Sequence, residues 1–171
     1  MDMMELRRAV MVGSIKNNIA YEAWNLSFDR FKNEYINTGV YLFNEENINR
    51  DFEVVVEGLY SNAGDGQVTI LCAKHNGLAL GFLIRIYNTN NREFAGTIFA
   101  KKDVINDVII IRRINGILSV EGNTITNQPV SFNPNTVFDF PLYLGCAVTD
   151  TGVPYRFATG TIGHIVVRWL N

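Results

Sequence analysis

Two Asn-Gly dipeptides, at Asn76-Gly77 and Asn115-Gly116, each stand between runs of β-branched and aliphatic residues. Asn-Gly suits the type I′ turn, whose two central residues need positive φ: glycine enters that region freely and asparagine tolerates it through its short polar side chain. Each dipeptide therefore predicts a β-hairpin. The first joins residues 68–75 to 78–87, and the second joins residues 108–114 to 117–120. Period-two alternation runs along the arms: Val68, Ile70 and Cys72 share one face, while Ile109, Ile111 and Arg113 point opposite to Val108, Ile110 and Arg112. The arm 108–114 is apolar on both faces near its middle, as befits a strand central to a sandwich.

Further runs of this kind, at residues 34–40, 52–59, 94–100, 142–144 and 162–169, are broken by Asn, Gly, Asp and Pro. They bring the expected number of strands to about ten, with no alternation of strand and helix and no internal repeat. The fold class that follows is all-β, an antiparallel β-sandwich or jelly roll. A chain of 171 residues with 47% hydrophobic and 19% charged residues is enough for one domain with a full core.

The start of the chain differs. Met3, Leu6, Val10 and Met11 recur near helical spacing, so residues 3–12 are expected to form a short amphipathic helix around Glu5, Arg7 and Arg8. Its apolar face either caps the open edge of its own sandwich or attaches to a neighbouring subunit or larger assembly. The chain thus divides into an extension, 1–20, and a sandwich, 21–171.

Charge and patterning exclude several classes. A net charge of -2, with Lys and Arg only in pairs such as Lys101-Lys102 and Arg112-Arg113, offers no field for a phosphate backbone, so nucleic acid is not an expected partner. No apolar stretch approaches the roughly 18 residues that span a bilayer. Residues 1–15 lack the apolar run of an export signal, and the expectation is a soluble protein with Cys72 and Cys146 as free thiols. The triplet Asn25-Leu26-Ser27 spells a glycosylation sequon, read here as chance.

Signatures of catalysis are missing: no Walker loop, G-x-S-x-G elbow, H-E-x-x-H or dinucleotide fingerprint occurs. Gly64-Asp65-Gly66 lies between strands with no helix behind it and reads as a turn. Glu53 and Glu57 share one face of one strand, but two pleats put their Cα atoms roughly 13 Å apart, too far for a glycosidase dyad. They read as outward charges opposite Phe52, Val54 and Val56. Cys72, His75, Cys146 and His164 are the residue types of a zinc site, yet Cys72 and His75 point to opposite faces of a strand, and no metal site is assigned. Calcium is chemically compatible with Asp65, Asp150 and loop carbonyls, although two loop aspartates are equally explained as turn formers. No other cofactor is expected.

Recognition on a rigid β scaffold usually sits in its loops, here 61–66, 88–93 and 149–156. Tyr21, Tyr35, Tyr41, Tyr60, Tyr87 and Tyr155 are numerous enough to offer a platform for sugar rings, although half-buried sandwich positions suit most of them. The foremost candidate ligand-binding residues are Tyr155 and Arg156, in a loop beside Asp150 and Thr151.

Residues 111–122, with the sequence IRRINGILSVEG, resemble the laminin G-like stretch in which a strand ends in a short turn and the next closes on an acidic residue plus glycine. Residues 141–145, 152–157 and 160–165 are similar to that family's closing segment. Residues 34–39, EYINTG, resemble the Y-I-D-T-G segment of laminin G-like modules encoded by phages and prophages, with Asn37 in place of the aspartate; a metal role there is weakened and a turn role is kept. The opening Glu5-Leu6-Arg7-Arg8 looks like the starts of small phage structural proteins. The resemblance, spread over most of residues 30–169, implies a concanavalin A-like jelly roll without catalytic function. It would be displayed on a virion as a tail, baseplate or head appendage, contacting host-surface glycan or neighbouring virion proteins. Such display favours a homo-oligomer. A free-standing carbohydrate-binding module is the alternative, and a glycoside hydrolase the second.

Overall fold

Asn115 and Gly116 both take positive φ, at 52° and 76°, and Ile114 pairs with Ile117 across them. The second predicted hairpin is therefore present with the register its turn demands. The computed structural model describes residues 18–61, 67–75, 80–87, 91–94, 97–99, 108–122, 125–131 and 137–170. The turn at Asn76-Gly77, the helix expected at 3–12, the Gly64-Asp65-Gly66 turn and residues 88–90 lie outside them.

In chain order the strands are β1 (Ile19–Phe28), β2 (Ile36–Asn37), β3 (Phe52–Glu57), β4 (Tyr60–Ser61), β5 (Gln67–His75), β6 (Leu80–Tyr87), β7 (Asn91–Phe94), β8 (Thr97–Phe99), β9 (Ile109–Ile114), β10 (Ile117–Gly122), β11 (Ile125–Ser131), β12 (Tyr143–Leu144), β13 (Ala147–Val148), β14 (Pro154–Tyr155) and β15 (Gly160–Trp169). Every pairing among the described residues is antiparallel. One sheet runs β1-β15-β3-β9-β10-β11, with β4 also beside β15; the second runs β2-β12-β5-β6-β7-β8; β13 and β14 form a small third.

Between the two large sheets lies the core expected of a sandwich. Val54, Val56, Ile109, Ile111, Ile165 and Val167 face it from the first sheet, and Leu71, Ala73, Phe82, Ile84 and Leu144 from the second. Phe43, Phe52, Phe82 and Phe138 fill one end, with Phe43 edge-on to Phe52 at 5.7 Å and stacked on Phe138 at 5.0 Å. Arg113 continues the inward face of β9 and is buried there, its Nη2 donating to the carbonyls of Ile48 and Asn47. Its guanidinium lies 5.8 Å from the ring centre of Phe43 and 5.6 Å from that of Phe52.

The alternation read through Val68, Ile70 and Cys72 breaks in β5, because a bulge shifts the register between Thr69 and Leu71. Leu71 and Ala73 then face the main core, while Cys72 turns outward into a second apolar cluster with Leu83, Tyr143, Cys146, Ala147 and Val148. The β13-β14 hairpin roofs this cluster, so the second sheet is covered on both faces around Cys72, Leu83 and Tyr143. Both cysteines are free thiols, and burial, with Cys72 nearby, pushes the Cys146 thiol up to about 12.

Other sequence expectations shift at their ends. The strand expected over 34–40 shortens to β2, because Asn37 Oδ1 accepts from the amide of Gly39 and closes a turn. Loop candidate 88–93 yields residues 91–93 to β7, and loop 149–156 contains β14. Strand β1 begins at Ile19 and pairs along most of β15. No helix among the described residues is long and apolar enough to cross a membrane.

Candidate functional site

On the outer face of the first sheet, three neighbouring strands lose their pleat phase at the same level. Trp24 on β1, His164 on β15 and Glu57 on β3 are register partners. The next row of partners is Ser27, Thr161 and Tyr60. Regular alternation returns to one face every second residue, yet here each strand takes three. Asn25 and Gly58 absorb the slip in the left-handed region, with φ of 54° and 62°, and Gly163 lies at the same level. Past it, Leu26, Leu59 and Ile162 all turn inward against the core.

Consequently the two outward rows stand about 10 Å apart rather than about 7 Å, and the level between them carries one asparagine and two glycines. Two of those three residues lack a side chain, and this strip is bordered by Trp24, His164 and Glu57 on one side and by Ser27, Thr161 and Tyr60 on the other.

The side bearing Trp24 is rigidly built. Its indole stacks on the His164 imidazole with ring centres 3.6 Å apart and planes 13° from parallel. The imidazole is itself held from both sides, Nε2 lying 2.9 Å from Glu22 Oε1 and Nδ1 3.2 Å from Glu57 Oε2. A neutral imidazole donates at one of these nitrogens and an imidazolium at both. His164 covers one ring face, and half of Trp24 is exposed, 50% by area. The described aromatics classed as exposed are Trp24, Phe31, Tyr35 and Tyr60. Phe31 belongs to the short 3-10 turn Arg30–Lys32, tied to Thr159 just ahead of β15, and so adjoins the same end of the sandwich.

Farther along this face, Glu53 receives two arginines, Arg112 Nε at 2.7 Å from Oε2 and Arg168 Nε at 3.4 Å from Oε1. The outward placement of Glu53 and Glu57 opposite buried Phe52, Val54 and Val56 follows the expectation, and each is engaged by a different partner. Glu22 and Glu57 are the closer carboxylates in kind, but the imidazole occupies the space between them where an inverting glycosidase would need its water.

Among the described residues no three His, Cys, Asp or Glu side chains converge as a metal site. Cys72 and Cys146 share the cluster under the hairpin while His164 lies on the opposite sheet, so these three zinc-type residues do not converge. Asp65, one of the two calcium candidates, is outside the described residues.

Of the loop candidates, Tyr155 and Arg156 are brought together: the guanidinium lies 5.1 Å from the ring centre, and Tyr155 packs on the second cluster. Arg156 is exposed and takes a positive φ of 51°. Asp150 sits at the other end of the same hairpin, in a turn closed by Thr149, whose hydroxyl accepts from the Val153 amide. A separate open pocket of about 450 Å³ is lined by Asn44, Glu45, Glu46, Val137, Phe138 and Asp139.

Trp24 does not stand out in the sequence, and His164 does so only as one of four zinc-type residues. One signal was present: Glu22, Trp24, Glu57 and His164 lie at period two from neighbouring outward positions, but their convergence needs the strand order β1-β15-β3, which sequence spacing does not contain.

No protein-family model matches the chain, and comparison with curated proteins finds no match. Solved structures do match. The CBM40 module of the Ruminococcus gnavus IT-sialidase aligns over 87% of this chain and 91% of its own, at TM-score 0.57 and 9% identity. The same module bound to α2,3-sialyllactose aligns over 87% and 91%, at TM-score 0.54 and 9% identity. The Streptococcus pneumoniae sialidase NanB aligns over 88% of this chain at TM-score 0.57 and 11% identity, and there the chain spans only 26% of the partner. Likeness at these identities is one of fold: a lectin-like β-sandwich, shared with carbohydrate-binding domains.

Proposed function

We propose that this chain is a non-catalytic carbohydrate-binding module that takes a glycan on the outer face of its first sheet, at the strip beside Trp24. One observation carries the reading: a half-exposed indole is held flat by His164, which Glu22 and Glu57 pin in turn. Exposed indole surface fixed before the ligand arrives gives apolar contact area without the cost of ordering a side chain. Tyr60 and the hydroxyls of Ser27 and Thr161 stand across the strip to meet the sugar's polar edge.

The fold neighbours support this alternative over display on a virion, since the CBM40 module aligns over nearly its whole length and none of the neighbours described is a laminin G-like or phage protein. The absence of a catalytic role rests on the engagement of Glu53 by two arginines and on the imidazole lodged between Glu22 and Glu57. Tyr155, Arg156 and Asp150 form a second, smaller surface that would extend contacts rather than anchor them, because Tyr155 spends much of its ring on the second cluster.

The test is a glycan array followed by calorimetric titration of the best binder, for the parent and Trp24→Ala. Loss of this aromatic contact is expected to weaken binding by roughly tenfold or more. Equal affinity in the two proteins would move the site elsewhere, and no glycan bound at all would remove the reading.

A further inference from the structure

We propose that Cys72 and Cys146 are a paired dithiol that closes to an intramolecular disulfide when the protein meets a disulfide oxidant, tying the β13-β14 hairpin to the sheet beneath it. The pairing stands on topology. The bulge between Thr69 and Leu71 turns Cys72 away from the main core, and its register partner on β12 is Tyr143, one interstrand spacing or about 5 Å away. Three residues past Tyr143 comes Cys146. Gly145, with a φ of 82°, turns the chain between them, and its carbonyl accepts from the Ala158 amide at 2.8 Å. Beyond Cys146, β13 folds back and packs against β5. Cys146 therefore stands at the seam where the hairpin leaves the sheet, on the side to which Cys72 points.

Both side chains belong to the buried cluster under the hairpin, at 1% and 0% exposure. A disulfide asks for Cα atoms about 4.4–6.8 Å apart, and one interstrand spacing plus one tight turn separate this pair. Cys72 is close enough to add to burial in pushing the Cys146 thiol up to about 12. Two thiolates would repel one another there, whereas an S–S bond carries no charge. Because the two residues are far apart in sequence, closing the bond removes freedom chiefly from the unfolded chain and so favours the folded one. The tie also holds the hairpin that bears Tyr155, with Arg156 directly after it.

The oxidant is a small-molecule disulfide, such as oxidised glutathione. As the hairpin lifts, one cysteine gives up its proton and its thiolate attacks a glutathione sulfur, forming a mixed disulfide and releasing one glutathione thiolate. The second cysteine, deprotonated in turn, attacks the protein-side sulfur and displaces the other glutathione. In all, two protein thiols lose two electrons and two protons, and one glutathione disulfide becomes two thiols.

The intact chain, equilibrated with glutathione redox buffers, tests this under native conditions and again in urea just below the unfolding midpoint, where the hairpin opens readily. After acid quenching, unfolding and alkylation, the mass should be that of a monomer two hydrogens lighter with no glutathione adduct, and its peptide map should join residue 72 to residue 146. The oxidised parent should unfold at a higher urea concentration than the reduced one, reversibly with dithiothreitol. The bond should form on the order of tenfold or more readily in the folded chain than in the fully unfolded one. Cys72→Ala and Cys146→Ala should each lose the stabilisation by oxidant. Thiols that stay alkylatable under both conditions would overturn the proposal, as would glutathione adducts or dimers in place of the internal bond, or an oxidised form that unfolds earlier than the reduced one.

Discussion

Gly163 donates its backbone N–H to the carbonyl of Gly58 at 3.2 Å, and a Cβ built on Gly58 would stand 3.3 Å from the Cα of Gly163. The strands β3 and β15 thus touch through bare backbone where their pleats slip together. Gly58 also has a φ of 62°, so a side chain there meets both crowding and left-handed strain. Gly58→Ala should lower stability by about 1–3 kcal/mol, read as a shifted urea midpoint at unchanged slope. It should also loosen the Trp24-His164 stack, measurable as altered tryptophan fluorescence. An unshifted midpoint would mean the slip is not held by these glycines.

Among the described residues, Arg113 is the one charged group that is buried. Burial draws its guanidinium below the usual arginine value, with Asp51 opposing. Arg113→Ala removes the donor to Ile48 and Asn47 and leaves a cavity against Phe43 and Phe52. A loss of about 3 kcal/mol or more is expected, with Arg113→Lys recovering part of it. Denaturant unfolding of the two variants checks the order.

Cys146 predicts how stability responds to alkali. Its thiol is raised in the folded protein to about 12 from an ordinary value of 9.0, so between those limits the folded state holds a proton that the unfolded state has released. Stability contributed by the neutral thiol is therefore full below about pH 9 and declines as pH rises toward 12. Cys146→Ala should flatten that slope in unfolding measured from pH 8 to 11. Native protein should resist alkylation at this thiol until it unfolds, because the reactive form is the thiolate.

Glu53 holds two guanidiniums on one largely covered carboxylate, 12% exposed. Glu53→Ala leaves Arg112 and Arg168 facing each other as like charges from the two strands that flank β3, and should cost about 1–3 kcal/mol. Adding Arg168→Ala to it should then cost less than it does alone, a non-additivity visible in a double-mutant cycle. Full additivity would show that the clamp contributes nothing.

How far the residues alone predict this molecule can be seen in particular elements. Asn115-Gly116 announced its hairpin because the turn chemistry and the alternation of Ile109 and Ile111 are both local. Strands β1 and β11 escaped notice for the opposite reason: β1 mixes Glu22, Trp24, Asn25 and Ser27 into its run, and β11 carries Asn127, Gln128 and Pro129, so neither shows a clean apolar period. The bulge in β5 and the joint slip at Asn25, Gly58 and Gly163 leave no mark on spacing either.

The all-β class, the two-faced strand β9 and the outward charges of β3 were determined by sequence, because a period of two and the φ demands of a turn are properties of a few consecutive residues. The site was decided only by tertiary structure. Trp24, Glu57 and His164 come from distant parts of the chain, and nothing short of the order β1-β15-β3 brings an indole, an imidazole and two carboxylates onto one face. Register between remote strands is set by the burial of the whole core at once, not by any one segment.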